Sequence, residues 1–304
     1  LFPGQGAQYP GMGLDYFNSF EVAEKVFEQT ARVLGSDLID VIFSGSEEKL
    51  QQTEFTQPAI LTVSIAIYRV LESLGLKADA FAGLSLGEYS ALVAAESLFF
   101  EEALPLVQKR GIYMQEAVPE GEGTMTAIMG LDHKVVEDLC CQASKEGLVR
   151  PANYNCPGQI VISGHFEAVK KAAALAHEAG AKKITSLKVS VPFHCALLQP
   201  VEKKLKNELA KIVVNKPKAK VIFNYTAAFA HDPYEIKNNL IKQSSNPILW
   251  EQSIRQLIAD GIDTFISIGP GTSPGRLMKR IAPQLKTFSI DKVTDLERLQ
   301  EELL

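Results

Sequence analysis

Three residues of this chain combine useful chemistry with an unusual placement: Ser85, His194 and Arg110. Ser85 stands in Gly83-Leu-Ser-Leu-Gly87, with a glycine two positions away on either side. A serine hydroxyl becomes a nucleophile when a tight turn lifts it clear of the backbone and a base takes its proton. The two glycines suit such a turn, because side chains there would collide as the preceding strand and the following helix close together. A helix beginning just after Ser85 aims its free N–H groups and positive dipole end at the reacting centre, with the Leu86 N–H a natural oxyanion donor. The competing reading is an ordinary strand-to-helix turn.

Of the five histidines, His133 and His165 fall at predicted helix starts, His177 on a surface helix and His231 in a polar loop. His194 follows Val191-Pro-Phe at the exit of a strand, in apolar surroundings. There it is either a base or a satisfied core histidine. Arg110 completes a helical stripe of Ala103, Val107, Met114 and Ala117. An isolated buried charge is very costly, so an inward arginine either pairs with an internal carboxylate or awaits the anion of a ligand. Spacing alone leaves both open.

The elements that must position these groups alternate between strand and helix. Ala78–Ala82 reads as a buried strand before Ser85 and Leu86–Phe99 as a helix after it. Leu1–Gln8 is an apolar strand end running into a Gly-Gln-Gly loop, the place where open α/β sheets bind ligands. Helices follow over Phe20–Leu34, over Thr56–Leu74 with Pro58 in its first turn, and over Glu101–Val118. Between Gly123 and Val191 the pattern becomes strand Thr124–Met129, helix Asp132–Lys145, extended Val149–Asn153, strand Gln159–Ser163, helix Phe166–Ala179 and strand Lys183–Val191. That β-α-β-β-α-β order is a ferredoxin-like unit. The expected fold class is α/β: a hydrolase-like core with a parallel sheet flanked by helices, plus an inserted ferredoxin-like α+β subdomain. Residues 1–123 and 191–304 form the large catalytic part and residues 124–190 the small one, with the cleft between them as the default site. Further on, Ser244–Pro247 introduces a helix, and strand Asp263–Ile268 runs into Gly269-Pro-Gly271. That turn lacks the Lys-Ser/Thr ending of a phosphate loop.

A chain of 304 residues with 46% hydrophobic content buries about three quarters of its unfolded surface. No apolar run approaches the roughly 18 residues of a membrane span. Leu1 opens no signal-like segment, and the missing Met reads as numbering from inside the natural chain. Cys140, Cys141, Cys156 and Cys195 lack metal-ligand spacing and fit reduced thiols in a cytoplasmic protein. The net charge of −5 hides a stretch, Glu167 to Lys220, with twelve Lys, four Glu and no Arg or Asp. This is either a docking face for an acidic partner or a set of solvated lysine faces. With little aromatic interleaving and a pI of about 5.7, nucleic acid is a poor partner.

Five features stand in order: Phe2-Pro-Gly-Gln-Gly-Ala-Gln8, Gly83-Leu-Ser-Leu-Gly87, Gln108-Lys-Arg-Gly111, Pro192-Phe-His194, and Asn246-Pro247 followed by Trp250. As an ordered set they resemble the malonyl-CoA:acyl carrier protein transacylase family across nearly the whole chain. The resemblance implies an acyltransferase of fatty acid synthesis, with polyketide synthesis as the related setting. It implies Ser85 as nucleophile and His194 as its base and later acid, the imidazole being oriented by a backbone carbonyl near Gln243. It implies Arg110 on the malonyl carboxylate, Met114 lining the acyl pocket, and the N–H groups of Gln5 and Leu86 as oxyanion hole. Malonyl-CoA and acyl carrier protein are the implied partners, with no metal or redox cofactor and no membrane. Many members carry His where this chain has Leu84, which cannot donate a hydrogen bond and bears on substrate preference. Phe193, a planar ring beside His194, agrees with a pocket too narrow for an α-methyl group. The rival readings are an acyl hydrolase, which has no use for an inward Arg110, and a non-catalytic carrier-binding domain.

Overall fold

Leu1 and Phe2 are the apolar centre of the main sheet. In this computed structural model, which describes every residue except Lys188, Ser190 and Leu304, Phe2 N–H donates to Ala82 O at 2.9 Å and receives Leu84 N–H on its own carbonyl at 3.0 Å. On its other side Leu1 accepts from Ile268 N–H at 2.8 Å. Phe2 bridges Gly83 in parallel, and Leu1, whose amino group donates to Ile266 O at 2.7 Å, has the parallel pattern of bonds to the strand on its other side.

The strands are β1 (Ala80–Phe81), β2 (Gly123–Met129), β3 (Val149–Cys156), β4 (Gln159–His165), β5 (Lys183–Ser186), β6 (Lys220–Phe223), β7 (Ala228–Phe229), β8 (Thr264–Ile268) and β9 (Lys286–Ile290). β6 pairs parallel with β1, and β8 with β9. With Leu1–Phe2 between them, the two short sheets become one parallel sheet in the order β6, β1, Leu1–Phe2, β8, β9, and β7 adds an antiparallel edge on β6. Helices cover it. The longest, Thr53–Ser73, is buried along most of its length and apolar nearly all round, as a central helix must be.

The second sheet has the order β3-β4-β2-β5, all antiparallel, with the helices His133–Ala143 and Phe166–Glu178 against it. This is the ferredoxin-like strand order, and it has its own core of Ile128, Val136, Ile160, Ile162, Val169 and Ala172. Asp132 caps the first of its helices by accepting from Lys134 N–H.

Several boundaries differ from those expected. The helix after Ser85 runs only from Gly87 to Ala94. Glu96 takes φ 55°, the Leu92 carbonyl accepts the N–H groups of both Ser97 and Leu98, and Ser97 exchanges backbone and side-chain hydrogen bonds with Asn215. A distant loop thus ends the helix. The long helix begins at Thr53, so Pro58 is its sixth residue and not in its first turn. The strand expected over Lys183–Val191 is regular only over Lys183–Ser186, and its Lys188 and Ser190 lie outside the described residues.

Strand and helix around Ser85 approach so closely that a Cβ on Gly83 would strike the Gly87 carbonyl group, and one on Gly87 would strike the carbonyl of Phe2. Backbone cannot yield as a flexible side chain can. Gly83→Ala should therefore lower folding stability by more than about 3 kcal/mol, measured by urea unfolding. A loss under about 1 kcal/mol, the range of an ordinary surface change, would mean that the turn is not packed in this way.

Candidate active site

Ser85 and His194 meet from opposite directions. Ser85 leaves β1 through Gly83-Leu84, and His194 follows the second sheet. Ser85 Oγ lies 2.7 Å from His194 Nε2, and His194 Nδ1 lies 2.9 Å from the backbone carbonyl of Gln243. A carbonyl only accepts, so Nδ1 carries the proton and the Nε2 lone pair faces the serine. Both residues have positive φ, 55° and 60°, a conformation costing roughly 1–3 kcal/mol each for a non-glycine residue. Tertiary contacts must hold them there.

Arg110 is 1% exposed. Its stripe mates Ala103, Val107 and Met114 are buried with it, as the periodicity requires, while Ala117 is half-buried. Neither of the two alternatives, an internal carboxylate or an empty site, describes it fully. Among the described residues no carboxylate forms an ion pair with it; instead Nη1 donates to Gln57 Oε1 at 2.8 Å and Nη2 to Gln243 Oε1 at 2.8 Å. Nη2 also reaches Ser85 Oγ at 3.2 Å, and the guanidinium stands 5.4 Å from the centre of the Tyr89 ring. Neutral amides orient the cation without cancelling its charge, and Nε has no partner among the described residues.

Burial, and then the positive charge of Arg110, lower the His194 pKa to about 3 against the opposing pull of the Gln243 carbonyl. The imidazole is thus neutral and able to accept a proton. Buried Glu88 shows the opposite shift, raised by desolvation to about 8.

The remaining expected site residues are all close by. Among the described residues neither the Gln5 nor the Leu86 N–H has an acceptor, so each can donate to an oxygen that reaches it. Gly4 brings the Gln5 loop against the Leu84 carbonyl, and the Gly269–Gly271 turn packs behind that loop on Pro3 and Ala7. Met114 is fully buried, its sulfur 3.8 Å from Gln57 Nε2. Phe193 is 8% exposed and tilted against His194 at 6.3 Å. Leu84 is half-buried and packs on the apolar cluster around Trp250. Two cavities lie along the seam between the sheets. One of about 830 Å³ includes Gln5, Thr53, Gly123 and Val189 in its walls. The other, of about 550 Å³, has His194, Asn246, Lys134 and Arg150 in its walls.

A family profile described as the acyl transferase domain matches residues 1–280. The malonyl CoA-acyl carrier protein transacylase of Bacillus subtilis (strain 168) is 43% identical over 98% of this chain and 94% of its own length. That of Escherichia coli (strain K12) is 44% identical over 96% and 95%. The chain belongs to this family of transacylases. Among solved structures, an acyl carrier protein S-malonyltransferase from Vibrio cholerae O1 biovar eltor superposes with TM-score 0.95 at 42% identity, covering 98% of each chain. A type II PKS acyl-carrier protein in complex with its malonyl-transacylase gives 0.96 at 40% identity, over 99% of this chain and 97% of that one.

Four features of this transacylase's site were not found from the sequence. They are the side chains of Gln57, Gln243 and Asn224, and the buried Glu88. Glu88 had a signal: a carboxylate in the helix of otherwise apolar and small residues that follows the nucleophile. Asn224 had a fainter one, the first polar residue after the apolar run Val221-Ile-Phe223. The basic stretch is less free than its composition suggests, since Lys170, Lys204, Lys211, Lys218 and Lys220 all pair with acidic neighbours. Among the described residues no helix is long and apolar enough to cross a membrane, and no group of three metal-ligating side chains converges.

The depressed His194 pKa sets a pH dependence. In the unfolded chain this histidine binds a proton below about 6.5, whereas in the folded one it stays neutral to about 3. Its contribution to stability is therefore complete above about 6.5 and declines as pH falls from there toward 3. The kcat/KM of acyl transfer should show no acid limb near 6.5, because that ratio reports the free enzyme. A limb at 6.5 in a pH–rate profile would mean an ordinary, solvated imidazole.

Proposed function

We propose that the chain transfers a malonyl group from malonyl-CoA to the phosphopantetheine thiol of acyl carrier protein, through a malonyl-Ser85 ester, in fatty acid synthesis. The observation that carries this reading is Arg110: a buried guanidinium, held by neutral amides, beside the nucleophile's own oxygen. A planar fork of N–H donors matches a carboxylate and remains charged at any working pH. The names borne by close relatives, and the carrier complex of a structural neighbour, support malonyl-CoA and a carrier protein as partners.

His194 Nε2 takes the Ser85 hydroxyl proton as Oγ bonds to the thioester carbonyl carbon. The resulting oxyanion is held by the N–H groups of Gln5 and Leu86. When the carbon–sulfur bond breaks, the leaving thiolate takes the proton from His194 and departs as coenzyme A. The carrier thiol then gives its proton to His194 and attacks the ester, and His194 returns that proton to Ser85 Oγ as the ester bond breaks. The carboxylate of the malonyl group, paired with Arg110, also cancels the charge that opposes protonation of His194. Substrate binding thereby makes the imidazole a stronger base when it is needed.

Residues 124–190 act as a small unit closing over the larger part, 1–123 and 191–304, a division supported by the separate core of the four-stranded sheet. An acyl hydrolase would share Ser85 and His194, but no observation favours it, and Arg110 would be without purpose.

Mass spectrometry of the protein mixed with malonyl-CoA should show one malonyl group, on Ser85. Ser85→Ala should remove it and lower turnover by several orders of magnitude. Label on a cysteine, or none at all, would overturn the assignment. Two charged hydrogen bonds are together worth about 3–6 kcal/mol, so malonyl-CoA should exceed acetyl-CoA in kcat/KM by about a hundredfold or more. Arg110→Ala should abolish that preference by lowering malonyl transfer while acetyl transfer holds or rises. An equal loss for both substrates in a folded variant would make Arg110 a structural residue.

A further inference from the structure

We propose that Asn224 is the positioning residue that holds the Ser85 turn in its reactive shape, its one carboxamide bridging the Gly83 carbonyl and the Ser85 N–H. This rests on Ser85 as nucleophile and concerns how the chain keeps that serine in place.

Asn224 follows β6, the neighbour of β1 in the sheet, and is fully buried. Its Oδ1 accepts from Ser85 N–H at 2.6 Å, and its Nδ2 donates to Gly83 O at 2.8 Å. The carboxamide is itself fixed at both ends of its residue. Asn224 N–H donates to Glu88 Oε2 at 2.6 Å, and Asn224 O accepts from Leu249 N–H at 2.9 Å. Glu88 lies three residues beyond Ser85 on the helix the turn leads into. The polar groups spanning strand, turn and helix thus converge on one asparagine.

The turn needs this clamp because its preferred shape is another one. Ser85 has φ 55°, and a non-glycine residue relaxes toward negative φ when nothing prevents it. Such a relaxation swings Cβ and Oγ away from His194 Nε2, now 2.7 Å distant. Gln243 Nε2 holds the Ser85 carbonyl at 2.9 Å, which fixes one end of the residue, and Asn224 fixes the other. Only an amide serves at position 224: a carboxylate would accept from Ser85 but repel the Gly83 carbonyl, and an alkyl group would orphan both. Arg110, Gln57 and the Gln5 loop make no hydrogen bond to Asn224, so substrate binding does not depend on it.

The test is a single-turnover measurement with labelled malonyl-CoA on the wild-type chain, Asn224→Asp and Asn224→Ala. Amplitude counts competent molecules, and the limiting rate reports the geometry of each one. Both variants should take up one malonyl group per folded molecule, with the limiting acylation rate lowered about a hundredfold, the scale of a misplacement near 1 Å. The malonyl-CoA concentration for half-maximal rate should stay near that of the wild type. A normal rate in a smaller competent fraction, a loss confined to the half-saturating concentration, or failure of both variants to fold would overturn the proposal, since each describes a structural or binding role. Absence of a Ser85 adduct in the wild type itself would instead refute the nucleophile, and the clamp with it.

Discussion

Arg110 is buried inside this protein with no ion pair to a carboxylate among the described residues. Burying Arg110 removes its hydration, and a carboxylate of the chain could have offset that penalty. The chain supplies the amide oxygens of Gln57 and Gln243 and the face of Tyr89 instead. These partners satisfy donors and set direction but leave the net charge for whatever enters. An internal carboxylate would have made the resting protein more comfortable and occupied the place of the substrate. The same charge works on the base, since it and burial together keep His194 neutral until an anion arrives. In the proposed reaction, specificity and readiness for proton transfer share one electrostatic source.

The fold brings distant segments to that charge with little freedom between them. Gln57 comes from the long buried helix, Gln243 from the end of the helix Pro233–Gln243, and Arg110 from the helix Phe100–Glu116. Gln243 is the most heavily used of them. Its backbone carbonyl orients His194, its side-chain oxygen receives Arg110, and its side-chain nitrogen holds the Ser85 carbonyl. One residue thus ties His194, Ser85 and Arg110 together through three hydrogen bonds. Leu1 and Phe2 set the floor beneath it by joining two short sheets into one.

What was legible in the sequence follows from this division of labour. Ser85, His194 and Arg110 are each out of keeping with their positions: a serine between glycines, a histidine at a strand exit, a cation on an apolar stripe. Such anomalies need no structure to be noticed. Gln57 and Asn224 are neutral polar residues that any helix start or strand end accommodates, and only contacts across the chain give them meaning. Asn224 meets Ser85 across 139 positions, a separation no local pattern reports. One of the element boundaries missed has that cause. The helix after Ser85 stops at Ala94 because the loop at Asn215 captures Ser97, although the helical pattern continues to Phe99. By contrast the β-α-β-β-α-β order was readable because its strands and helices carry their own periodicity, and Asp132 caps the first helix.

Glu88 shows how narrow the electrostatic arrangement is. It is a fully buried carboxyl group close enough to Arg110 for their charges to interact, yet desolvation raises its pKa to about 8. Burial thus favours its neutral form. One oxygen accepts from the Asn224 N–H, while the other has no partner among the described residues. Had it been solvated or paired, it would have ionised and become the counter-charge Arg110 lacks. Keeping it dry retains a hydrogen-bond acceptor for the Asn224 N–H without giving Arg110 a charged partner. The complete burial of the helix Gly87–Ala94 thus does electrostatic work, because desolvation of Glu88 favours its neutral form and withholds a counter-charge from the guanidinium.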